Sequence, residues 1–201
     1  MFFNSEEERY KDFLDLCEEN KFALEDHVDH WLRTNGFFTA PASTKYHGAY
    51  AGGLYDHSRC VYDRLAKLTD DNKLTWQRPQ SPFIIGMFHD LCKCDQYSPV
   101  FENVYVSDNK GRLVASSEID HYEYNTNTAL KGHATKSIII LSSLFTLTEE
   151  EMLCIRYHMG AYGNEQDQKD EWTGFDKAIH KYMNVFWSHA ADMLASKVDD
   201  I

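Results

Sequence analysis

Two side chains that could bind a metal ion or move a proton lie next to each other in the segment FHDLCK, where Asp90 directly follows His89. The pair comes after the apolar run SPFIIGM, which is typical of a buried helix. Adjacent residues on a helix do not face each other, so one core-facing stripe cannot hold both side chains. Either Asp90 begins to solvate a helix end, or some group between the two side chains binds both of them.

Other candidate ligands also adjoin apolar helical segments rather than loops. They are His57, His133, His158 and Asp192. Asp192 is flanked by alanines, and burial of a carboxylate there is costly unless a cation or several donors meet it. Imidazoles and carboxylates together suit manganese, iron, cobalt, nickel or zinc better than a thiolate-binding metal. Each residue also has a structural interpretation: a lone buried histidine is commonly a hydrogen-bonded core residue, and Asp192 could pair with Lys93 or Arg156.

Helical patterns dominate the chain and would position these residues. Ser5 and Glu8 form the pattern of a capping box, which predicts a first helix through about Glu19. Thr148 and Glu151 form a second such box. Further helices are predicted over residues 21–36, 50–68, 82–92, 133–145, 149–160 and 175–198, with a loop over 161–173. Residues 97–125 alternate weakly around the sequence DNKG, which predicts a β-hairpin inserted into the helical domain.

Length and composition restrict the class of protein. The 201 residues fit a single domain over 1–201, with N-terminal helices over about 1–40. Apolar residues make up 43% of the chain, yet no apolar run approaches the ~20 residues of a membrane span. The acidic N-terminal stretch lacks a signal-peptide pattern, and five scattered cysteines indicate reduced thiols. A cytoplasmic location without membrane contact is therefore expected.

The net charge limits the choice of partner. A formal charge of −12 disfavours long nucleic acids, whose binding depends on many lysine and arginine contacts with phosphate. A small anionic substrate stays compatible with this charge if a metal ion or a local basic cluster reverses the field at the site. The sequence leaves open whether the chain forms a homo-oligomer.

The order of His57, the doublet His89–Asp90 and Asp192 resembles the signature of the HD-domain metal-dependent phosphohydrolase superfamily. The matching segments are HGAYAGGLYDHS, FHDLCK and HAADMLAS, while GHATKS and IRYHMG resemble the segments that supply extra histidines in two-metal members. The resemblance extends over about residues 46–196, and five segments in this order are far more specific than the doublet alone. The chain departs from the commonest wording by having Leu-Cys, where many members have Ile-Gly, before the lysine.

This resemblance implies an all-α fold, a compact HD-domain helical bundle with its metal-binding core over 46–196. It implies one or two divalent ions, namely manganese, iron, cobalt, nickel or zinc, with magnesium as a further option. A first ion would be held by His57, His89, Asp90 and Asp192. Asp90 would bridge to a second ion held by His133 and His158. Asp90 and Lys93 would be catalytic, and Lys93 would also contact the substrate. Lys136 and Arg156 are further candidate phosphate contacts from their places beside His133 and His158, with surface charges as the equal alternative. His189 is a candidate substrate contact that could equally orient a ligand or form a hydrogen bond in the core.

The function implied is hydrolysis of a phosphate mono- or diester by metal-activated water, with a nucleotide or short oligonucleotide as substrate. Two other classes stay open at this stage. One is a module of the same fold that senses a nucleotide without turning it over. The other is a purely structural helical protein whose histidines are scattered, and in that case Lys93 is only a helix-end lysine that complements the helix dipole.

Overall fold

A computed structural model describes residues 3–102, 105–107, 109–110, 112–115, 118–162 and 168–201, and these form a mainly helical protein. The helices are α1 (Glu6–Glu19), α2 (Asp26–Thr34), α3 (Gly53–Asn72), α4 (Ser81–Phe88), α5 (His133–Leu144), α6 (Glu149–Arg156), α7 (Gln168–Lys181) and α8 (Asn184–Lys197). Short 3-10 helices cover Leu91–Cys94 and Gly160–Tyr162. The predicted helical class is confirmed. Within these ranges, no helix combines the length and the apolar character that crossing a bilayer requires.

The insertion predicted over residues 97–125 is present as antiparallel strands. They are β1 (Tyr97–Phe101), β2 (Tyr105–Ser107), β3 (Leu113–Ala115) and β4 (Ile119–Tyr124). β1 pairs with β4 and β2 pairs with β3, so the described residues form two small sheets rather than one regular hairpin. The register of the first pair shifts between Val100 and Phe101. Asp108 and Gly111 of the predicted DNKG turn lie outside the described residues.

Both predicted helix caps are found, and one of them is complete. Thr148 Oγ1 accepts a hydrogen bond from the Glu151 amide (3.2 Å), and the Glu151 carboxylate accepts one from the Thr148 amide (2.9 Å). At α1, Ser5 Oγ accepts a bond from the Glu8 amide at 3.1 Å, but the Glu8 carboxylate binds the amide of Asn4 instead of that of Ser5. Side-chain caps of this kind satisfy amides that have no partner inside the helix.

The helix that carries the doublet ends earlier than predicted. α4 stops at Phe88, and His89 still has helical angles (φ −54°, ψ −31°). Asp90 leaves the helix, with φ −110° and ψ 21°, just before the 3-10 helix begins. Because the backbone changes direction between the two residues, their adjacent side chains are no longer forced apart by helical geometry. The predicted helix over 82–92 is thus replaced by a helix, a break at the doublet and a short 3-10 turn.

The predicted helix over 175–198 is two helices, α7 and α8, and α7 begins in the segment predicted as a loop. The break falls at Tyr182 and Met183. Asn184, the first residue of α8, donates from Nδ2 to the Thr75 carbonyl and to the Glu150 carboxylate, both at 2.8 Å. These contacts come from residues distant in sequence, so the hydrophobic periodicity that runs on through the break did not reveal it.

Helix α3 lies at the centre of the fold, in contact with both α4 and α8. α4 crosses α3 so closely that a Cβ atom at Gly86 would lie 2.5 Å from the Tyr62 Cα atom. Only glycine allows this approach, which brings the end of α4 beside α3. Buried phenylalanines fill the space around the crossing, among them Phe13, Phe83 and Phe88.

A buried ion pair joins α1 to the start of α3. The Arg9 guanidinium binds the Asp56 carboxylate through Nε (2.8 Å) and NH2 (3.2 Å). Tyr50 donates a further hydrogen bond to the same carboxylate at 2.9 Å. Both partners of the pair are buried, and Asp56 immediately precedes His57. The pair therefore fixes the backbone next to a candidate ligand.

We expect Asp56→Asn to lower the free energy of unfolding by about 3 kcal/mol, because it leaves the Arg9 charge buried without a counter-ion. Lys67→Gln is the matched control on the same helix, since Lys67 pairs with Asp71 on the surface, where both side chains are more than half exposed. It should cost less than about 1 kcal/mol. Urea unfolding with a shared m-value measures both changes, and equal losses in the two variants would contradict this role of the Arg9 pair.

Candidate metal centre

The six predicted ligands come from distant parts of the chain and meet around one carboxylate. They are His57 from α3, His89 and Asp90 from the end of α4, His133 from the start of α5, His158 from the turn after α6, and Asp192 from α8. All of them are buried except His133, which is partly buried. The prediction that these side chains converge is confirmed by the geometry, whereas their role as ligands stays a prediction.

The two oxygens of Asp90 face different imidazoles. Oδ2 lies 3.7 Å from His57 Nε2 and 3.4 Å from His89 Nε2. Oδ1 lies 2.9 Å from His133 Nε2 and 3.4 Å from His158 Nε2. One donor atom from each member of the set His57, His89 and Asp90, and of the set Asp90, His133 and His158, falls within 4.8 Å of the others. The arrangement therefore offers two adjoining ligand sets that share Asp90.

Asp192 adds a second carboxylate to the first set. Its Oδ1 atom lies 3.1 Å from His57 Nε2 and 3.9 Å from His89 Nε2. Two donors bound to the same ion at ~2.1 Å stand roughly 3 Å apart, so these separations are close to those of a shared ligand shell. α8 thus brings Asp192 to the place that the sequence pattern predicts.

Three of the imidazoles have a tautomer that suits a metal ligand. His57 Nδ1 lies 2.8 Å from the main-chain oxygen of Ile201, and His89 Nδ1 lies 2.9 Å from the carbonyl of Gly86. His158 Nδ1 lies 2.7 Å from the carbonyl of Ile155. A main-chain oxygen only accepts, so each Nδ1 carries the proton, and in a neutral ring Nε2 is left with a lone pair. The three Nε2 atoms lie within 3.7 Å of an Asp90 oxygen, and His158 Nε2 is also in hydrogen-bond contact with His133 Nε2 at 3.2 Å.

Several atoms of this cluster lack the partner that burial normally demands. His57 Nε2, His89 Nε2 and Asp90 Oδ1 are all buried without a hydrogen bond. His133 Nε2 does approach Asp90 Oδ1, but the contact does not have hydrogen-bond geometry. Buried polar atoms without partners are rare and costly, and lone pairs that face one another need a cation between them. The donor set therefore fits a metal ion, although its nitrogen and oxygen atoms do not single out one element.

Electrostatics keep both carboxylates ionised. Burial alone would raise the pKa of Asp90, but Lys93 and then the imidazoles of His89 and His133 hold it well below its ordinary value. For Asp192, burial is likewise outweighed by His57, and the pKa is lowered. Burial is the main reason that the pKa of His133 is lowered, which keeps that ring neutral and able to bind a metal.

Lys93 has a buried ammonium group that forms an ion pair with the Asp90 carboxylate. Its Nζ atom lies 2.6 Å from Asp90 Oδ2, and its side chain is only 9% exposed. Burial by itself would lower the pKa of Lys93, but the Asp90 carboxylate raises it, so the group is charged. The reading of Lys93 as a solvated lysine at a helix end is therefore wrong.

The other predicted substrate contacts lie at the edges of the cluster. Lys136 is buried and pairs with Asp95 and with Thr128, so its reading as a surface charge is wrong. The Arg156 guanidinium lies over the Tyr157 ring, 5.1 Å from its centre. Their predicted role as phosphate contacts stays untested.

His189 contacts the main chain of a candidate ligand. Its Nδ1 atom lies 2.7 Å from the carbonyl of His158. Its ring packs against Phe175, and Gly160 has a positive φ of 66° and would place a Cβ 3.1 Å from that ring. The predicted role of His189 as a substrate contact is not tested by this geometry, which shows a hydrogen bond to the main chain of the candidate ligand His158.

Three groups beside the candidate ligands are not among the predicted site residues, although the sequence places one of them, His47, where it could line the entrance. The His47 ring lies 5.1 Å from that of His57, and burial followed by repulsion from His57 lowers the pKa of His47 to about 4. Cys92 Sγ lies 3.2 Å from His133 Nδ1, and burial raises the pKa of this thiol to about 12, so it stays protonated. The third group is the main-chain oxygen of Ile201. For His47, its position beside the glycines of HGAYAGG is a sequence feature that indicates a place near the site. No sequence feature indicates a contact of Cys92 or of the Ile201 main chain with the candidate ligands.

We expect Zn²⁺ or Mn²⁺ to raise the melting temperature and EDTA to reverse the gain, because an ion that binds only the folded state stabilises it. At a free concentration of 100 Kd the gain is about 2.7 kcal/mol. For a chain of this length that corresponds to a rise of roughly 5–10 °C. Calorimetry and elemental analysis of the same samples measure the effect and the stoichiometry.

His57→Gln should remove most of this gain, whereas His180→Gln should retain it. His180 is a suitable control because its side chain is 76% exposed on α7 and contacts Asp176 of the same helix. A parent protein that binds less than half an equivalent of ion, with an unchanged melting temperature, would show that these histidines are structural.

Comparisons with known proteins add no assignment. No protein-family model, no curated protein and no solved structure matches this chain. What can be inferred of its chemistry therefore depends on the side chains that meet at Asp90.

Proposed function

We propose that this protein is an HD-domain metal-dependent phosphohydrolase that cleaves a phosphate mono- or diester, with a nucleotide or short oligonucleotide as substrate. One observation carries the proposal: the Nε2 atoms of His57, His89 and His158 lie within 3.7 Å of the Asp90 carboxylate oxygens in a buried cluster. The order of the ligand segments along the chain, which resembles that superfamily, supports it further.

Each of the two ligand sets around Asp90 would hold one ion. His57, His89, Asp90 and Asp192 would hold the first ion. Asp90, His133 and His158 would hold the second. When bound, such ions supply a Lewis acid for a phosphoryl oxygen and make a water acidic enough to act as nucleophile near neutral pH. The ionised carboxylates and the neutral His133 imidazole are already in the protonation states that this requires.

Lys93 is the side chain best placed to meet the substrate's charge. Its ammonium is fixed on Asp90 Oδ2 and is kept charged by that contact. A buried, oriented cation stabilises developing negative charge far better than a solvated one, because it does not have to reorganise during the reaction. We therefore assign Lys93 to the phosphoryl oxygens and not to the ligand shell.

Two cavities give a substrate room on both sides of the cluster. One, of about 330 Å³, is bordered by His133 and Lys136 and thus adjoins the Oδ1 side of Asp90. The other, of about 660 Å³, is bordered by His47, Lys45 and Lys197. It adjoins the Oδ2 side, because the His47 ring packs on His57. A phosphate ester with a group on either side of the phosphorus is compatible with this layout.

We expect the purified protein with added Mn²⁺ to release phosphate or nucleoside from at least one member of a panel of nucleotides, dinucleotides and p-nitrophenyl phosphate esters. Asp90→Asn should abolish this turnover and lower the metal content, because Asp90 belongs to both ligand sets. Asp71→Asn, an exposed position on α3, is the matched control and should leave both unchanged.

The outcomes separate the rival classes. Full activity in Asp90→Asn would refute the assignment. Absence of turnover on every substrate, with bound metal confirmed by elemental analysis, would instead identify a nucleotide-binding module that keeps the metal centre without hydrolysis.

We expect Lys93→Met to reduce kcat by roughly 100-fold, as the loss of one fixed electrostatic contact to the transition state commonly does. Metal content should stay close to that of the parent, because Lys93 donates no lone pair. Lys67→Met on the surface of α3 provides the control. A variant of Lys93 that has lost its metal would show that this division of roles is wrong.

A further inference from the structure

The chain beyond α8 folds back towards the metal cluster. The amides of Val198 and Asp199 both bond to the Leu194 carbonyl, at 3.0 and 3.1 Å. Asp200 then takes a left-handed conformation with φ 57°, and the Ile201 amide bonds to the Ala195 carbonyl at 3.3 Å. Aspartate is one of the few residues that tolerates this conformation, so the turn is specified by the sequence. We call Asp199–Ile201 the returning segment.

α3 holds the returning segment on the face that carries His57. Arg64 donates to the Asp199 carboxylate from Nε at 2.6 Å and also from NH2. Cys60 Sγ lies 3.3 Å from the same carboxylate. Residues 57, 60 and 64 are spaced by three and four positions, so they share one side of the helix. The anchor and the candidate ligand are therefore aligned along α3.

The end of the returning segment bonds to His57 itself. The main-chain oxygen of Ile201 lies 2.8 Å from His57 Nδ1. Ile201 is 7% exposed and His57 is 1% exposed, so there is little access for a water that could replace this bond. On its other side, the same ring has Asp192 Oδ1 3.1 Å from Nε2. α8 and the segment that follows it thus contact both nitrogens of one imidazole.

His57 differs from the other two ligands in the origin of this acceptor. His89 and His158 use carbonyls three residues earlier, Gly86 and Ile155, which lie in the last turns of α4 and α6. Carbonyls at a helix C-terminus lack partners within the helix and are free to accept. His57 lies in the second turn of α3, where the preceding carbonyls accept backbone bonds, so its acceptor has to come from elsewhere in the fold.

We propose that the returning segment is a positioning element for the metal centre: the main-chain oxygen of Ile201 fixes the Nδ1–H tautomer of His57 and directs Nε2 towards Asp90 and Asp192. Partners of this kind commonly change metal affinity 10–100-fold when they are lost. The consequence for metal binding rests on the proposed function, but the tautomer is a property of the chain and can be measured without an ion.

The test compares the parent with a chain that ends at Val198 and with Arg64→Gln, which removes the anchor of Asp199. Lys67→Gln is the control, because it breaks an exposed ion pair one turn further along α3. Nitrogen-15 NMR of histidine-labelled, metal-free protein shows which nitrogen of His57 carries the proton. Competition with a chelator then gives the Kd for Zn²⁺, and circular dichroism confirms that each variant is folded.

We expect a single Nδ1–H tautomer of His57 in the parent and the Lys67→Gln control. The shortened chain should show a mixture of tautomers and a Kd raised by roughly tenfold or more. Arg64→Gln should shift both quantities in the same direction by a smaller amount. His89 should keep its tautomer in every variant, because its acceptor lies in its own helix, and this is a readout that general destabilisation would not spare.

The proposal is overturned if the shortened chain keeps the parent tautomer and a Kd within about twofold of the parent value. Should the shortened chain fail to fold, Arg64→Gln decides by the same criteria, since its side chain is about one-third exposed. A parent that shows the Nδ1–H tautomer but binds no metal would support the positioning of His57 and refute the proposed function, so the two failures are distinct.

Discussion

The Asp90 carboxylate is the group on which the rest of this structure depends, because four imidazoles from four helical segments approach its two oxygens. Three of these rings give their Nδ1 proton to a main-chain oxygen and have Nε2 beside Asp90. Acceptors gathered around an acceptor repel each other in a buried site, so the cluster is favourable only with positive charge inside it. Lys93, whose ammonium lies 2.6 Å from Asp90 Oδ2, supplies part of that charge.

The helices bring these imidazoles to Asp90 through contacts that tolerate little substitution. α4 can place its C-terminal residues beside α3 because Gly86 lets the two backbones approach. The backbone then leaves the helix at Asp90, which frees its side chain from the spacing that keeps neighbours apart. The Arg9–Asp56 pair holds the start of α3 in place. The aromatic core holds the helices together, and these few polar and glycine contacts set the position of the candidate ligands.

The parts of the site that follow from residue identity and spacing could be predicted from the sequence, and the parts made by the main chain could not. His57, His133 and Asp192 are candidates because a titratable side chain on an apolar helix face is unusual, and the order of their segments, which resembles the HD-domain signature, groups them into one site. The main-chain oxygen of Ile201 has no such signature, since any residue could supply it from a distance of 144 positions. The break between α7 and α8 was missed for a related reason: it depends on Asn184 contacts to other elements, while hydrophobic periodicity continues across it.

The charge balance of the cluster explains how an acidic protein could attract a phosphate ester. The ionised Asp90 and Asp192 carboxylates and the charged Lys93 ammonium together carry one net negative charge, which repels an anion. One divalent ion would turn this into one net positive charge, and a second ion would add two more. The sign of the field at the site would thus be set by metal binding rather than by the overall charge of −12, which is largely screened over distances beyond ~10 Å. Substrate binding would then depend on metal loading, while the acidic surface would keep long polyanions away.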